Sequence, residues 1–170
     1  MKISFRLTSI LADSIRHDLR RPHPFAFERV GFITGRFGKS ASGRLLVLGY
    51  EYHPVADEDY VEDHRFGALL GAEGFRKIFQ IAFNQDVGVF HVHMHEHNGK
   101  PRFSGIDIRE MARYVPDFFN ARPTVSHGAL VLSLNSISGS CWLSKKSKGV
   151  PISEFTVVGR PMNILRGDHR

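Results

Sequence analysis

Side chains alternate between apolar residues and histidine in one short segment, and this alternation most constrains how the chain folds. The segment reads VGVFHVHMHEH and covers residues 87–97. Successive side chains of a β-strand point to opposite faces of the sheet, so the pattern predicts a strand with one apolar, core-facing side. The apolar side carries Phe90, Val92 and Met94, and the opposite side carries His91, His93, His95 and His97.

The cysteine content limits the kind of site that these histidines could form. Cys141 is the only cysteine, which excludes an internal disulfide and a cysteine-based zinc cluster. A metal would therefore be bound by histidine and carboxylate side chains. One cysteine suits a reducing compartment, and residues 1–21 lack the apolar core and cleavage site of a signal peptide. We expect a cytoplasmic protein.

Charge and hydropathy narrow the expected partners. The net charge is +6, but the basic residues are scattered and no nucleic-acid-binding motif accompanies the groups RHDLRR and KKSK. No apolar run approaches the roughly 20 residues of a membrane-spanning helix. We predict no specific nucleic-acid partner and no membrane partner, and the sequence leaves the oligomeric state open.

Strand and helix patterns both occur along the chain, and no linker divides it. Strand patterns cover residues 1–7, 29–37, 43–55, 87–93, 128–136, 139–144 and 153–160. Helical patterns cover residues 9–21, 71–85 and 105–120, and the acidic segment 56–66 predicts a surface loop. The sequence thus predicts a single α+β (α/β) domain over residues 1–170, with a mixed β-sheet flanked by helices.

Three further residues give the histidine strand a possible chemistry. Two histidines two apart on a strand can hold one metal, and Ser104 with Asp107 predicts a capping box that fixes a carboxylate in the first turn of a helix. Two histidines and one aspartate leave the fourth position of a zinc ion open, as in catalytic sites. Glu28 is the candidate base. Gly31 in the strand that follows indicates the close approach of a backbone or a substrate.

Three motifs in this order, ERVGFITG, VGVFHVH and SGID, resemble those of the JAB/MPN metalloproteases that carry the JAMM motif. The resemblance extends over residues 5–145. It implies a JAB/MPN architecture, which is cytidine-deaminase-like, and it implies that His91, His93 and Asp107 bind zinc. It also implies that Glu28 is the general acid and base and that Ser104 stabilises the oxyanion.

The spacing after the histidines departs from this family. Ten residues separate His93 from Ser104, where seven are usual, and His95 as second ligand would leave eight. The resemblance places the first ligand after VGVF, which favours the pair at positions 91 and 93. His95 and His97 then belong to an enlarged loop, where they either line a substrate groove or are solvated.

Two other functions remain open from the sequence. His91, His93 and His95 are similar to the signature of histidine-triad nucleotide hydrolases, in which the middle histidine attacks a phosphate without a metal. That signature ends in two apolar residues, whereas Glu96 and His97 follow here. A catalytically inactive MPN scaffold is the second alternative.

The resemblance implies a zinc-dependent peptidase or isopeptidase that cleaves after the C-terminal tail of a ubiquitin-like modifier. The expected partners are that modifier and its conjugates. The compact length is similar to that of prokaryotic members, some of which are encoded beside ubiquitin-like proteins in conjugation systems linked to phage defence.

Overall fold

The protein folds around one mixed β-sheet, as described by a computed structural model for residues 1–24, 27–63, 67–159 and 163–166. The strands are β1 (Ile3–Thr8), β2 (Val30–Lys39), β3 (Leu45–Pro54), β4 (Gly88–Met94), β5 (His127–Leu132), β6 (Ile137–Trp142), β7 (Val150–Pro151), β8 (Glu154–Val158) and β9 (Asn163–Arg166). The helices are α1 (Ser9–Leu19), α2 (Ala72–Gln85) and α3 (Gly105–Ala121), with a short 3-10 helix at Asp57–Asp59.

The strand order places the histidine strand in the interior of the sheet. The order is β7-β6-β5-β4-β2-β3-β1-β8-β9, so that β4 pairs with β2 in antiparallel and with β5 in parallel orientation. β1 is parallel to β3 and β8, and the other neighbours are antiparallel. The mixed sheet and its helices confirm the predicted α+β class, and the JAB/MPN architecture stays a prediction. None of the helices in the described ranges is long and apolar enough to cross a membrane.

The two faces of the sheet pack against different helices. α1 covers one face, and the core between them includes Ile15, Phe90 and Val92. α2 and α3 cover the other face, where the core includes Ile78 and Phe118. Both amphipathic surfaces are thereby removed from water, which is the main favourable contribution to folding.

β4 is buried along its whole length, and its two faces differ as the alternation predicts. Phe90, Val92 and Met94 join the core beneath α1. On the opposite face the ring of His91 packs 5.6 Å from that of Phe32 and 4.9 Å from that of Tyr114, measured between ring centroids. The histidines of β4 therefore lie on the face that α2 and α3 cover.

The main departures from the predicted elements lie at the sheet edges and in the acidic segment. β7 and β9 were not predicted, because each is short and forms by pairing with one distant neighbour. In the predicted loop 56–66, Tyr60 is buried, and its hydroxyl donates to the Val30 carbonyl and accepts from the Val30 N–H. Residues 64–66 of that loop, and residue 160 of the last predicted strand, lie outside the described residues.

Gly31 is required by a side chain rather than by a backbone or a substrate. A Cβ atom at this position would overlap the ring of Tyr52 on the neighbouring strand β3. The Tyr52 hydroxyl continues across the position and donates to Asp18 of α1 at 2.6 Å. The glycine therefore lets Tyr52 tie β3 to α1.

Candidate metal centre

His93 is a buried histidine whose ring faces the carboxylate of Asp107. It lies near the end of β4, opposite Val30 of β2 and Val131 of β5, and its side chain is almost fully buried. Neither its Nδ1 nor its Nε2 atom is hydrogen-bonded within the described part of the chain. Buried polar groups are hydrogen-bonded in the large majority of cases, so two such atoms on one ring indicate a ligand-binding role.

Asp107 faces His93 from the first turn of α3. Its Oδ2 atom lies 3.5 Å from Nε2 of His93 and 3.9 Å from Nε2 of His95. The predicted capping box is present, since Oδ2 accepts from the Ser104 N–H at 2.6 Å and Ser104 Oγ accepts from the Asp107 N–H at 3.1 Å. The cap thus fixes the carboxylate in place opposite the histidines.

The pKa of Asp107 reflects these neighbours. Burial opposes ionisation of the carboxyl, but the imidazole of His93 and the hydrogen bonds of Ser104 outweigh it and lower the pKa below its ordinary value. The carboxyl is therefore ionised at neutral pH, which is the form that binds metals.

Glu28 and His95 complete a group of four side chains. One ligand atom each from Glu28, His93 and His95 lies within 4.8 Å of the other two. His95 follows the last residue of β4, and its N–H still donates to the Leu132 carbonyl of β5 at 2.9 Å. This bond continues the strand pairing and keeps His95 on the same face as His93.

A short stretch after residue 66 positions Glu28. The Gly67 carbonyl accepts hydrogen bonds from the N–H groups of Phe27 and Glu28, each at 2.9 Å. A Cβ atom on Gly67 would lie only 3.0 Å from Oε2 of Glu28. The absence of a side chain at position 67 therefore lets the carboxylate of Glu28 occupy its place.

His91 lies deeper in the same cavity, outside this close group. Its ring centroid is 5.8 Å from that of His93, compared with 5.0 Å between His93 and His95. Burial, with a smaller effect of His93, lowers the pKa of His91 to about 3. His91 is thus neutral and packs beside Tyr114.

His97 points away from the group, and the long loop after it has a structural explanation. His97 is exposed, and its Nδ1 atom lies 2.9 Å from the Asn98 carbonyl. The loop folds onto the turn between β5 and β6, where the Ser133 hydroxyl donates to the Gly99 carbonyl at 2.6 Å and the Gly99 N–H donates to Asn135 Oδ1 at 2.8 Å. The extra residues are anchored there before the chain returns to Ser104.

The group of four lies in a cavity of about 310 Å³ between β4, α3 and the stretch 67–70. Ser104 and His91 line it too, so the cavity contains every predicted site residue except His97. Five apolar or aromatic residues of the cavity wall were not predicted from the sequence: Leu69, Leu70, Phe75, Ile106 and Tyr114.

The sequence offered one signal for Tyr114, its position on helix α3 directly before the buried Val115. Burial, with smaller effects of Asp107 and Glu110, raises the pKa of the Tyr114 phenol.

The donor atoms suit a metal ion such as zinc. Two atoms bound at about 2 Å to a tetrahedral zinc ion lie about 3.3 Å apart, close to the 3.5 and 3.9 Å between Asp107 and the two histidines. Imidazole nitrogen and carboxylate oxygen are both ligands that zinc accepts. The unpartnered nitrogens of His93 are the structural observation that supports the fit.

Comparisons with family models and curated proteins assign the chain to no known class. No protein-family model matches the chain, and a search of curated proteins finds no match. Among solved structures, the chain is similar to the STIL N-terminal domain of Trichoplax adhaerens, with 9% sequence identity and a TM-score of 0.46. The match covers 79% of this chain and 40% of that one.

Proposed function

We propose that the chain is a zinc-dependent hydrolase of the JAMM type, which cleaves a peptide or isopeptide bond after the C-terminal tail of a ubiquitin-like modifier. One observation carries the reaction class: Glu28, His93, His95 and Asp107, from three separate segments of the chain, converge in one cavity. The substrate class rests on the resemblance of the three sequence motifs.

The distances favour a ligand set that differs from the one the resemblance implies. Asp107 lies within 4 Å of ring nitrogens of both His93 and His95, whereas no such contact joins it to His91 among the described residues, although the buried Nδ1 of His91 also lacks a hydrogen bond there. We therefore assign His93, His95 and Asp107 as the ligands, with His91 as the alternative to His95. Zinc bound there would supply Lewis acidity, which makes water a nucleophile at neutral pH and polarises a carbonyl group.

Glu28 and Ser104 would supply the proton transfer and the stabilisation of charge. Glu28 lies close enough to the ligand atoms to take a proton from the attacking water and to pass it to the leaving nitrogen as the C–N bond breaks. Ser104 Oγ already accepts a hydrogen bond from the Asp107 N–H. Its own proton is therefore available to the carbonyl oxygen of the substrate as that oxygen gains negative charge.

Metal analysis tests the site and one substitution separates binding from catalysis. The desalted protein should contain about one zinc per chain by mass spectrometry, and Asp107→Ala should contain almost none. Glu28→Gln should keep the zinc and lose cleavage of a ubiquitin-like modifier fusion. A wild-type protein that binds no zinc under these conditions would contradict the proposal.

A pair of histidine substitutions distinguishes the two ligand sets. His95→Ala should lower zinc affinity at least as strongly as His93→Ala, whereas His91→Ala should leave most of it, and His97→Ala is the matched control. Loss of zinc in His91→Ala with retention in His95→Ala would restore the ligand set that the resemblance implies.

The two alternative functions predict different results in the same samples. A histidine-triad hydrolase would cleave phosphate esters in chelator-treated protein and would lose that activity in His93→Ala. A scaffold would bind a modifier conjugate with neither zinc nor cleavage.

A further inference from the structure

A second cavity adjoins the candidate metal centre. It encloses about 480 Å³ and shares Glu28 and His95 with the first cavity. We call it the arginine groove and define it by Arg20, Arg21, Pro22, His23, Arg29 and Glu96. The two cavities meet at the proposed catalytic carboxylate, so a chain lying across Glu28 would occupy both.

Two of the three arginines of the groove form ion pairs with aspartates of the same chain. Arg29 is buried, forms an ion pair with Asp57 at 2.8 Å, and donates to the carbonyls of Arg21 and Pro22. Arg21 forms an ion pair with Asp18. These contacts hold the segment after α1 in place and leave little charge for a ligand.

Arg20 is the cation that remains available. Its side chain is exposed at the C-terminal cap of α1, and no carboxylate within the described residues pairs with it. The surface that continues from the groove along the end of α1 is mixed, since Asp13 lines it together with Arg16 and His17. Arg20 is therefore the residue of the groove that an anionic group would contact.

We propose that the arginine groove binds an acidic segment of the polypeptide substrate, next to the bond that is cleaved. The inference rests on the proposed function. The substrate segment on one side of the cleaved bond would carry carboxylates that contact Arg20, and the segment on the other side would lie in the apolar cavity. Electrostatic complementarity of this kind gives specificity and a faster association rate more than affinity.

The two acidic residues of the groove favour a peptide over a nucleic acid. Glu28 and Glu96 line it together with the arginines. A peptide can place a carboxylate beside Arg20 and an uncharged residue beside each glutamate. A nucleic acid carries a charge on every nucleotide and would bring phosphates against both glutamates.

Binding of labelled peptides tests the groove without requiring cleavage. The probe is a short fluorescein-labelled peptide in which Asp alternates with Gly, and its control is the matched peptide with Asn in place of Asp. In chelator-treated protein at low salt, fluorescence anisotropy should show the acidic peptide binding at least about tenfold more tightly, with the difference falling as salt rises. Equal affinities for the two peptides overturn the inference.

Variants at position 20 locate the contact. Arg20→Glu should weaken binding of the acidic peptide about tenfold or more, because it reverses the charge at this position. Arg20→Gln should weaken binding less, because it only removes the charge. Arg6→Glu, an exposed position on β1 outside both cavities, should change nothing beyond the small effect of net charge. Unchanged binding in Arg20→Gln and Arg20→Glu, with folding confirmed by circular dichroism, overturns the assignment.

Two further results separate this inference from the proposed function. Arg20-dependent peptide binding in a protein that cleaves no modifier fusion supports the groove and contradicts the hydrolase. Cleavage that is indifferent to acidic residues near the bond supports the hydrolase and overturns the groove. If oligothymidine binds more tightly than the acidic peptide and this binding is lost in Arg20→Glu, the ligand of the groove is a nucleic acid and the peptide proposal is overturned.

Discussion

Two buried histidines on neighbouring parallel strands differ in whether their ring nitrogens are hydrogen-bonded. His127 begins β5 and is fully buried, with Nδ1 accepting from the Val89 N–H at 3.0 Å and Nε2 donating to the Arg122 carbonyl at 2.9 Å. His93 lies toward the end of β4 and is almost as deeply buried, but neither of its ring nitrogens is hydrogen-bonded within the described part of the chain, and Nε2 lies 3.5 Å from Asp107 Oδ2.

The difference separates a structural histidine from a candidate ligand. Both rings have lost their contact with water, and leaving a buried polar atom unpaired costs about 1–3 kcal/mol. His127 recovers this cost through two backbone bonds. His93 does not, and its Nε2 faces the carboxylate of Asp107 instead. Burial alone therefore does not identify a functional histidine, whereas burial without hydrogen bonds does indicate one.

The largest expected effect is that of zinc on stability. A ligand that binds only the folded state stabilises it by about 4 kcal/mol at a thousand times its Kd. Zinc should therefore raise the Tm of the wild type relative to chelator, as measured by differential scanning calorimetry. The shift should persist in His127→Asn, which keeps the metal centre, and should vanish in His93→Ala. An equal shift in the two variants would erase the distinction between the two histidines.

In metal-free protein, a leucine substitution should be more costly at position 127 than at position 93, the reverse of their effects on zinc stabilisation. His127→Leu leaves the Val89 N–H and the Arg122 carbonyl unpaired, which should lower the free energy of unfolding by about 3 kcal/mol. His93→Leu removes two nitrogens that lack hydrogen bonds but also takes away the imidazole beside Asp107, and because these effects oppose each other it should change the free energy of unfolding by less than about 1 kcal/mol. Urea unfolding in chelator measures both, and a large loss in His93→Leu would show that His93 has a structural role.

The pH dependence of stability should sharpen the comparison further. Burial lowers the pKa of His127 to about 4 from an ordinary value of 6.5. Between these two pH values the histidine is mostly protonated in the unfolded chain and mostly neutral in the folded chain. Stability from this group is complete above pH 6.5 and falls as the pH drops from 6.5 toward 4, by about 2 kcal/mol at pH 5. The difference between the wild type and His127→Asn, measured by urea unfolding across this range, should show that slope. A difference that does not vary with pH would contradict it.

The smallest expected effect on stability compares two helix caps. Ser104 caps α3, and the Thr8 hydroxyl caps α1 by accepting from the Leu11 N–H at 3.1 Å. Substituting either residue by alanine should cost about 1 kcal/mol in urea unfolding. Only Ser104→Ala should also slow cleavage of a modifier fusion, by at least about tenfold, because only Ser104 lines the metal cavity. Equal cleavage rates would leave Ser104 with a capping role alone.

Local patterns predicted most elements and part of the centre. The alternation along β4 correctly separated Phe90 and Val92 from His91 and His93, because the period of a strand is a local property. The capping box was also readable, since Ser104 and Asp107 lie within one turn. The proposed ligand set was not, because the choice between His91 and His95 rests on which ring lies near Asp107, a residue of a different element.

The surroundings of the site include contacts between residues far apart in sequence. The loop after His97, which connects β4 to α3, bonds to the turn around Ser133. The wall around Glu28 is similarly held by Gly67, which is distant in sequence from both Glu28 and the histidines.

The sequence by itself determined the α+β class, the faces of β4, the capped start of α3 and the donor chemistry of the site, because each follows from spacing over a few residues. The tertiary structure decided that Glu28, His93, His95 and Asp107 converge, that His97 does not line their cavity and that Arg20 lines the adjoining one. Distances between side chains of separate elements depend on how those elements pack, and packing is a property of the whole chain.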